Sequence, residues 1–301
     1  QSTASRQVKV VMKDPYQLIR FLFSHNPIRG EHVSLDNCWR EIVAQSSLTG
    51  KGLTLLGHAL TAATLLVETL KIEGSVSLQI RGSGDIHLLM AEATSDHTIR
   101  GIVRQSKNPK DNQSLQEIFQ TDKLVITIKG NKGLPHQGIV PLTGDSIATA
   151  LQSYFDQSEQ LPTRFWFACD EKSATGMLIQ KMPAEENDRD AWNRVLHLAE
   201  TTQQAELLAL KADELLHRLF HEEDLELFEP KPITFSCNCS QERTRDMLMS
   251  LGKAEIDEII EEQGEIAITC EFCNANYSFD KIDLEQLFVR GDIASPSLTQ
   301  H

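Results

Sequence analysis

Basic residues are in short supply: 29 Lys and Arg face 43 Asp and Glu, leaving a formal net charge of −14 and a pI near 5.2. A surface of that sign repels phosphate, which argues against a nucleic-acid or anionic-membrane partner. Nucleotide-binding glycine loops are missing too. No glycine turn runs into Lys-Ser or Lys-Thr, and Gly82-Ser83-Gly84 lacks a third glycine and leads into a strand rather than a helix N-terminus. No Gly-x-Ser-x-Gly elbow is present, which removes the hydrolase nucleophile of that type. No uninterrupted apolar run reads as long enough to span a bilayer and no secretory signal pattern opens the chain, so a cytoplasmic protein is expected. An initiator Met is also missing. Gln1-Ser2-Thr3-Ala4-Ser5-Arg6 reads like a trimmed or vector-derived end, and residues 1–13 are set aside as vector-derived or disordered.

What is present is an ordinary globular composition, 40% hydrophobic and 24% charged over 301 residues, enough for two domains. After Asp14-Pro15, residues Leu18, Ile19, Phe21 and Leu22 recur like one face of a helix. Glu31 to Leu35 alternates as a strand, and a helix starting near Asp36-Asn37 carries Trp39, Ile42 and Val43. Leu53 to Leu70 is apolar on nearly every side and is read as too short for a membrane span, hence a buried central helix. His58 within it is expected to be a packed, hydrogen-bonded core residue. Strands are expected at 75–80, 86–90, 97–103, 123–128 and 136–140. Gly144-Asp145-Ser146 should cap a helix bearing Ile147, Ala148, Leu151, Tyr154 and Phe155; Pro162 stops it, and a strand follows at 164–169. Asp156 and Glu159, at that helix end, read as solvated or capping carboxylates rather than a catalytic pair.

After Pro183 a charged stretch, 184–190, marks a boundary. Two helical stripes follow, Trp192, Val195, Leu196 and Ala199, then Leu207, Leu208, Leu215, Leu216, Leu219 and Phe220, each suited to lie on a core. Pro230 and Pro232 separate them from the C-terminal region. One helix is expected there from Arg243 to Glu262, then short strands at 266–270 and 277–280.

Of the six cysteines, four form two tight pairs, Cys237-Asn238-Cys239 and Cys270-Glu271-Phe272-Cys273, with thirty residues between them. Two positions apart on an extended segment, side chains share a face, and Cys-x-x-Cys lets a tight turn aim two sulfurs inward. Asn274 stands where such a turn favours a left-handed residue. Cys237, Cys239, Cys270 and Cys273 therefore form a four-thiolate set suited to one tetrahedral Zn²⁺. A structural ribbon would normally use Cys-x-x-Cys twice. A disulfide across a Cys-x-Cys step closes a very small, strained and easily reduced ring, so the same sulfurs suit a second chemistry: metal when reduced, disulfides when oxidised. A domain of this size gains only roughly 3–5 kcal/mol from its own core, against roughly 10–16 kcal/mol from a structural zinc. The metal should therefore decide whether it folds, and Glu255, Asp257, Glu258, Glu261, Glu262, Glu265 and Glu271 add modest repulsion without it. Cys38 and Cys169 match neither pair and are read as buried or incidental.

The pattern Cys-x-Cys-x30-Cys-x-x-Cys resembles the redox switch of the 33 kDa chaperonin family, also called heat-shock protein 33. Tyr154-Phe155-x-x-Ser158-Glu159-Gln160-Leu161-Pro162-Thr163 looks like that family's core motif, and Gly176 to Pro183 is similar to the strand that follows it. The likeness runs from about Asp14 to the C-terminal cysteines. It implies an α+β protein: a client-binding core at 14–183 with sheets around the buried helix, a metastable helical linker at 184–235, and a zinc-binding switch domain at 236–301. It further implies a non-enzymatic, ATP-independent holdase, inactive when Cys237, Cys239, Cys270 and Cys273 hold one Zn²⁺ per chain. Oxidation with heat would form the disulfides Cys237–Cys239 and Cys270–Cys273, loosen the linker and yield a homodimer that captures unfolding client proteins. Two rival readings are a thiol oxidoreductase using Cys270 and Cys273, which lacks the βαβ context, and a zinc-ribbon nucleic-acid binder, which lacks a basic face beyond Lys253 and Lys281.

Overall fold

The first apolar stretch is a strand rather than a helix. Residues 17–184 and 188–284 are described by the computed structural model, so the segment 1–13, the Asp14-Pro15 start and part of the 184–190 boundary lie outside the described residues. Strand β1 spans Gln17–Phe23. Leu18 faces one core while Phe21 and Phe23 face another, and burial on both faces gives a continuous apolar run whose spacing mimics a helical stripe.

Strand β2 (Ile28–Ser34) pairs antiparallel with β1. Helix α1 (Asp36–Gln45) buries Trp39 and Ile42, and α2 spans Gly50–Leu70. Strands β3 (Gly74–Arg81), β4 (Ile86–Thr94) and β5 (Thr98–Gln105) form a meander. A short helix, α3 (Leu115–Phe119), went unread in the sequence; Ser114 and Glu117 close a capping box at its start. Its backbone explains the glycines at 82 and 84: a Cβ on Gly82 would lie 1.7 Å from the Phe119 carbonyl oxygen, and one on Gly84 2.3 Å from that of Ile118. Strands β6 (Lys123–Gly130) and β7 (His136–Pro141) complete that sheet.

Ser146 caps α4 (Ile147–Tyr154) by accepting from the Thr149 amide, as expected. A π-helical turn, Phe155–Glu159, ends it, with Gln160 left-handed at φ +54°. Asp156 takes both its oxygens to the Arg164 guanidinium at 2.9–3.0 Å, a structural ion pair. Strands β8 (Thr163–Cys169) and β9 (Ala174–Lys181) follow, and β9 inserts beside β2.

Helix α2 lies between the two sheets, touching β2, β8 and β9 on one side and β3, β4 and β5 on the other. By length and composition it would cross a membrane, which corrects the expectation that it is too short; 83% of its apolar window is buried inside the fold. His58 on α2 is half-buried with its ring against Phe167, 5.7 Å between centroids. That stacking is its described contact, in place of the expected hydrogen bond.

Beyond Pro183 the second expected helical stripe is two helices, so three follow: α5 (Ala191–Ala199), α6 (Gln204–Ala209) and α7 (Ala212–Phe220). Leu210 is extended between α6 and α7, where the Glu214 side chain bonds back to the Lys211 amide. Together they cover the outer face of the sheet containing β1: Val195, Leu207, Leu215, Leu216, Leu219 and Phe220 share a core with Phe21, Phe23, Ile28, Met177 and Ile179. His32 of β2 is 2% exposed with both ring nitrogens unpartnered, and burial pushes it down to about 4.

The stretch around Pro230 and Pro232 is more than a spacer. Strands β10 (Leu225–Leu227) and β11 (Lys231–Pro232) pair antiparallel with β1, and β12 (Thr234–Phe235) pairs parallel with β5. The sheet orders are β10-β1-β2-β9-β8, with β11 also on β1, and β12-β5-β4-β3-β6-β7. Lys231 Nζ meets Glu68 at 2.8 Å, and Arg20 reaches the same carboxylate at 3.1 Å.

The chain divides after Ser236 into two units. In the second, the expected single helix is α8 (Gln241–Leu251) and α9 (Lys253–Gln263), broken where Gly252 takes φ +94°. Strands β13 (Ile266–Thr269) and β14 (Asn276–Phe279) form a hairpin in register Ile266 to Phe279. Its described apolar core is small: Leu248, Ile256, Ile260, Ile266, Phe279 and Leu284.

Candidate metal centre

An irregular loop and a tight turn present the four paired cysteines. Cys237 and Cys239 lie on the segment before α8, whose N-cap Ser240 accepts from the Arg243 amide. The Arg243 guanidinium reaches back to the Asn238 carbonyl at 2.8 Å and so braces the Cys-x-Cys loop. Cys270 and Cys273 occupy the turn between β13 and β14. The Cys270 amide donates to the Ala275 carbonyl at 2.8 Å and the Asn274 amide to the Cys270 carbonyl at 2.7 Å. Asn274 is left-handed at φ +54°, as its position in the sequence suggests.

Together they bring all four Sγ atoms within 4.8 Å of one another. The pairs Cys237–Cys270 and Cys239–Cys273 stand 3.6 and 3.3 Å apart. A tetrahedral Zn²⁺ with Zn–S bonds of about 2.3 Å needs S···S edges of about 3.8 Å, so small adjustments would seat the ion. Four soft sulfurs, no oxygen donor and no open position make a closed, structural type of site. The set thus fits zinc both by donor chemistry and by spacing.

One contributor escaped the sequence reading. The Tyr277 hydroxyl, on β14, donates to Cys239 Sγ at 3.1 Å. That bond is the main reason the Cys239 thiol is pushed down to about 7, whereas burial pushes Cys237 up to about 12. The only signal in the sequence was a Tyr on the returning strand, four residues past Cys273. The acidic residues named from the sequence are all exposed, and Glu265 takes the Ser278 hydroxyl at 2.7 Å.

The other two cysteines stay apart from the cluster. Cys38 is buried and donates to the Leu35 carbonyl; Cys169 is half-buried beside Gly57. Burial pushes both thiols up to about 12, which keeps them protonated and inert. Cys270 and Cys273 sit in a hairpin turn rather than at a helix N-terminus, so the dipole that activates a thioredoxin-type Cys-x-x-Cys is not available to them.

A family model described as Hsp33 protein matches residues 17–280. The 33 kDa chaperonin of Nitrosococcus oceani is 42% identical over 290 residues, covering 96% of this chain and 100% of the relative. That of Methylobacillus flagellatus is 45% identical over 275 residues, covering 90% and 94%. The crystal structure of the 33 kDa chaperonin from Thermotoga maritima superposes with a TM-score of 0.76 at 24% identity, over 93% of this chain and 100% of that one. At that identity the structural likeness speaks for the fold.

Proposed function

The chain belongs to the Hsp33 family, and from that premise we propose that it is a redox-regulated, ATP-independent holdase, a chaperone that binds unfolding proteins without turning over a substrate. The observation that carries this is the four-sulfur cluster in a unit whose own apolar core is six described side chains. Bound zinc would supply roughly 10–16 kcal/mol of folding free energy, several times what such a core provides.

In the reduced state Cys237, Cys239, Cys270 and Cys273 hold one Zn²⁺ as thiolates. Being deprotonated, they are nucleophiles for peroxide. One thiolate attacks a peroxide oxygen and expels hydroxide, giving a sulfenic acid; a second thiolate then displaces hydroxide from that sulfur. Each disulfide costs two electrons from the sulfurs and turns one peroxide into two waters once protons are taken up. The pairing, Cys237–Cys239 and Cys270–Cys273, is the one the family resemblance implies.

Residues 184–235 act as the linker between core and switch. Its helices α5 to α7 hold the core through Val195, Leu207, Leu215, Leu216, Leu219 and Phe220, each worth roughly 1.5–3 kcal/mol when buried. Disulfide formation unfolds the switch but leaves these contacts in place, so release of the linker takes warming as well. Once it leaves, Phe21, Phe23, Ile28, Met177 and Ile179 are bared on one sheet face. Clients bind there, and the active form is a homodimer in the cytoplasm.

The test follows zinc with a chromogenic chelator and client aggregation by light scattering in one sample. Peroxide in the cold is expected to release one zinc per chain with little chaperone activity, and warming under oxidant to switch activity on. Full activity in step with zinc release in the cold would overturn the two-lock mechanism. A reduced protein without zinc would overturn the site.

A further inference from the structure

Residues 224–236 close the outer edges of both core sheets at once. Along β1 they run antiparallel: the Ser24 amide donates to the Asp224 carbonyl and the Phe228 amide to the Arg20 carbonyl, both at 2.9 Å. The register pairs Phe23 with Leu225, Phe21 with Leu227 and Leu18 with Lys231. On the other sheet the Thr234 amide donates to the His97 carbonyl at 3.0 Å and the Ser236 amide to that of Ile99 at 3.1 Å. Uncovered, either edge would present a row of unpaired donors and acceptors.

We propose that the outer edge of β1, once this strap has left it, takes an extended segment of the client as an added strand. The proposal rests on the reading above that the linker leaves the core. What the edge accepts is visible in its present occupant. Along Leu225–Leu227 the strap is held by main-chain bonds, and Glu226 and Leu227 remain exposed, the latter by 41%, whereas further on Lys231 pairs with Glu68 and Ile233 is buried in the core. Pairing of that kind is tolerant of sequence, as a holdase requires, because the backbone is common to every client. Alternation then adds a preference. Leu225 leans onto the core shared by Phe21, Phe23 and Phe220, so a client strand with an apolar side chain at every second position would extend onto the sheet face vacated by α7. The partner class is therefore an extended, alternately apolar polypeptide, the chemistry of a β-strand exposed by an unfolding protein.

Antiparallel bonding makes this edge readable atom by atom. The bonds from Ser24 and to Arg20 show that residues 20, 22 and 24 point their amides outward, and alternation turns those of Phe21 and Phe23 inward to β2. Amide hydrogen exchange, resolved by residue, is followed on the full chain at rest, after peroxide and warming, and after adding carboxymethylated α-lactalbumin, a permanently unfolded chain. At rest the amides of Phe21, Leu22, Phe23 and Ser24 are expected to exchange slowly, those of Leu22 and Ser24 through their bonds to the strap, which meets Arg20 at its carbonyl instead. On activation Leu22 and Ser24 should speed up by about a hundredfold or more while Phe21 and Phe23 stay slow. With the unfolded chain bound, the outward pair should slow again by at least tenfold. If they remain fast while that chain is held, edge pairing is wrong and the linker-release reading stands. If they slow without it as protein concentration rises, the edge belongs to a second copy instead. If they never become fast although the unfolded chain is held, the linker does not leave, and the failure lies in that reading.

Discussion

Phe220→Ala tests the linker's hold on the core at its tightest point. The ring is 1% exposed and meets Phe23 edge-on at 5.2 Å and Phe21 at 6.4 Å between centroids. Phe220 ends α7 and both partners lie on β1, so the loss falls on docking of the linker rather than on the α2-centred core. Truncating a buried Phe to Ala costs about 3–5 kcal/mol including the cavity left behind, of which each aromatic pair contributes about 0.5–1.5 kcal/mol beyond its area. At 1.4 kcal/mol per tenfold, the docking equilibrium shifts by roughly a hundred- to a few thousandfold. The assay is light scattering of a thermally unfolding client with peroxide-treated protein, repeated from the cold upward. Phe220→Ala is expected to be active under oxidant at temperatures where the unmodified chain is still silent, and Phe220→Leu to fall between them. Unchanged amide protection in α2 would show the core intact. If Phe220→Ala, with α2 still protected, needs the same warming as the unmodified chain, the apolar stripe is not the second lock.

Three further outcomes follow from the same structure. Cys270→Ser leaves three sulfurs and an open position, and should lower zinc affinity by orders of magnitude; full retention against a competing chelator would refute the four-ligand site. Glu31 is 2% exposed and burial pushes it up to about 8 from 4.5. The Thr69 hydroxyl beside it has one proton for two acceptors, the Leu65 carbonyl at 2.7 Å and Glu31 Oε2 at 3.0 Å, so a protonated Glu31 can supply the second bond. The folded state then holds a proton that the unfolded chain releases above 4.5. Its contribution is full below that pH and is lost as pH rises toward 8, at up to about 1.4 kcal/mol per unit. Melting curves at pH 5.5 and 8 should show a smaller drop for Glu31→Gln than for the unmodified chain; equal drops would refute a neutral Glu31. Lastly, a fragment ending at Pro183 keeps the α2-centred core and bares Phe21, Phe23, Ile28, Met177 and Ile179. It should be folded by circular dichroism but self-associate on size exclusion, whereas one ending at Ser236 stays monomeric; an unfolded shorter fragment would place the core boundary elsewhere.

Where the sequence was legible, the signal was local. Strands β3 to β5 alternate with a period of two because one face meets α2 and the other is more open to solvent. The cysteine cluster was legible because the short spacing within each pair keeps its two sulfurs near one another whatever the rest of the chain does. Strand β1 misled because it is buried on both sides and loses that alternation. The break at Gly252 was there to be read, as a glycine inside a helical pattern. The strands from Leu225 to Phe235 were not, since they are short, interrupted by proline, and bonded to partners about two hundred and about one hundred and forty positions earlier. Tyr277 likewise owes its part to the hairpin register, which places its hydroxyl at Cys239.

Helix α2 sets a difficulty for the chain's own synthesis. It is long and apolar enough to cross a membrane, roughly 31 Å from end to end, and it leaves the ribosome before every strand that covers it except β1 and β2. At about 5–20 residues per second, the roughly 110 residues from Leu70 to Lys181 take about 6–22 s to appear. For that interval a rod long enough to enter a bilayer stands with most of its wrapping unmade, and β9, one of its closest neighbours, arrives last. The newborn chain thus bares for a time the kind of apolar surface that makes unfolding proteins aggregate. A protein that hides its core so late is best made before conditions turn denaturing, and the stock that meets an oxidative shock is the stock already folded.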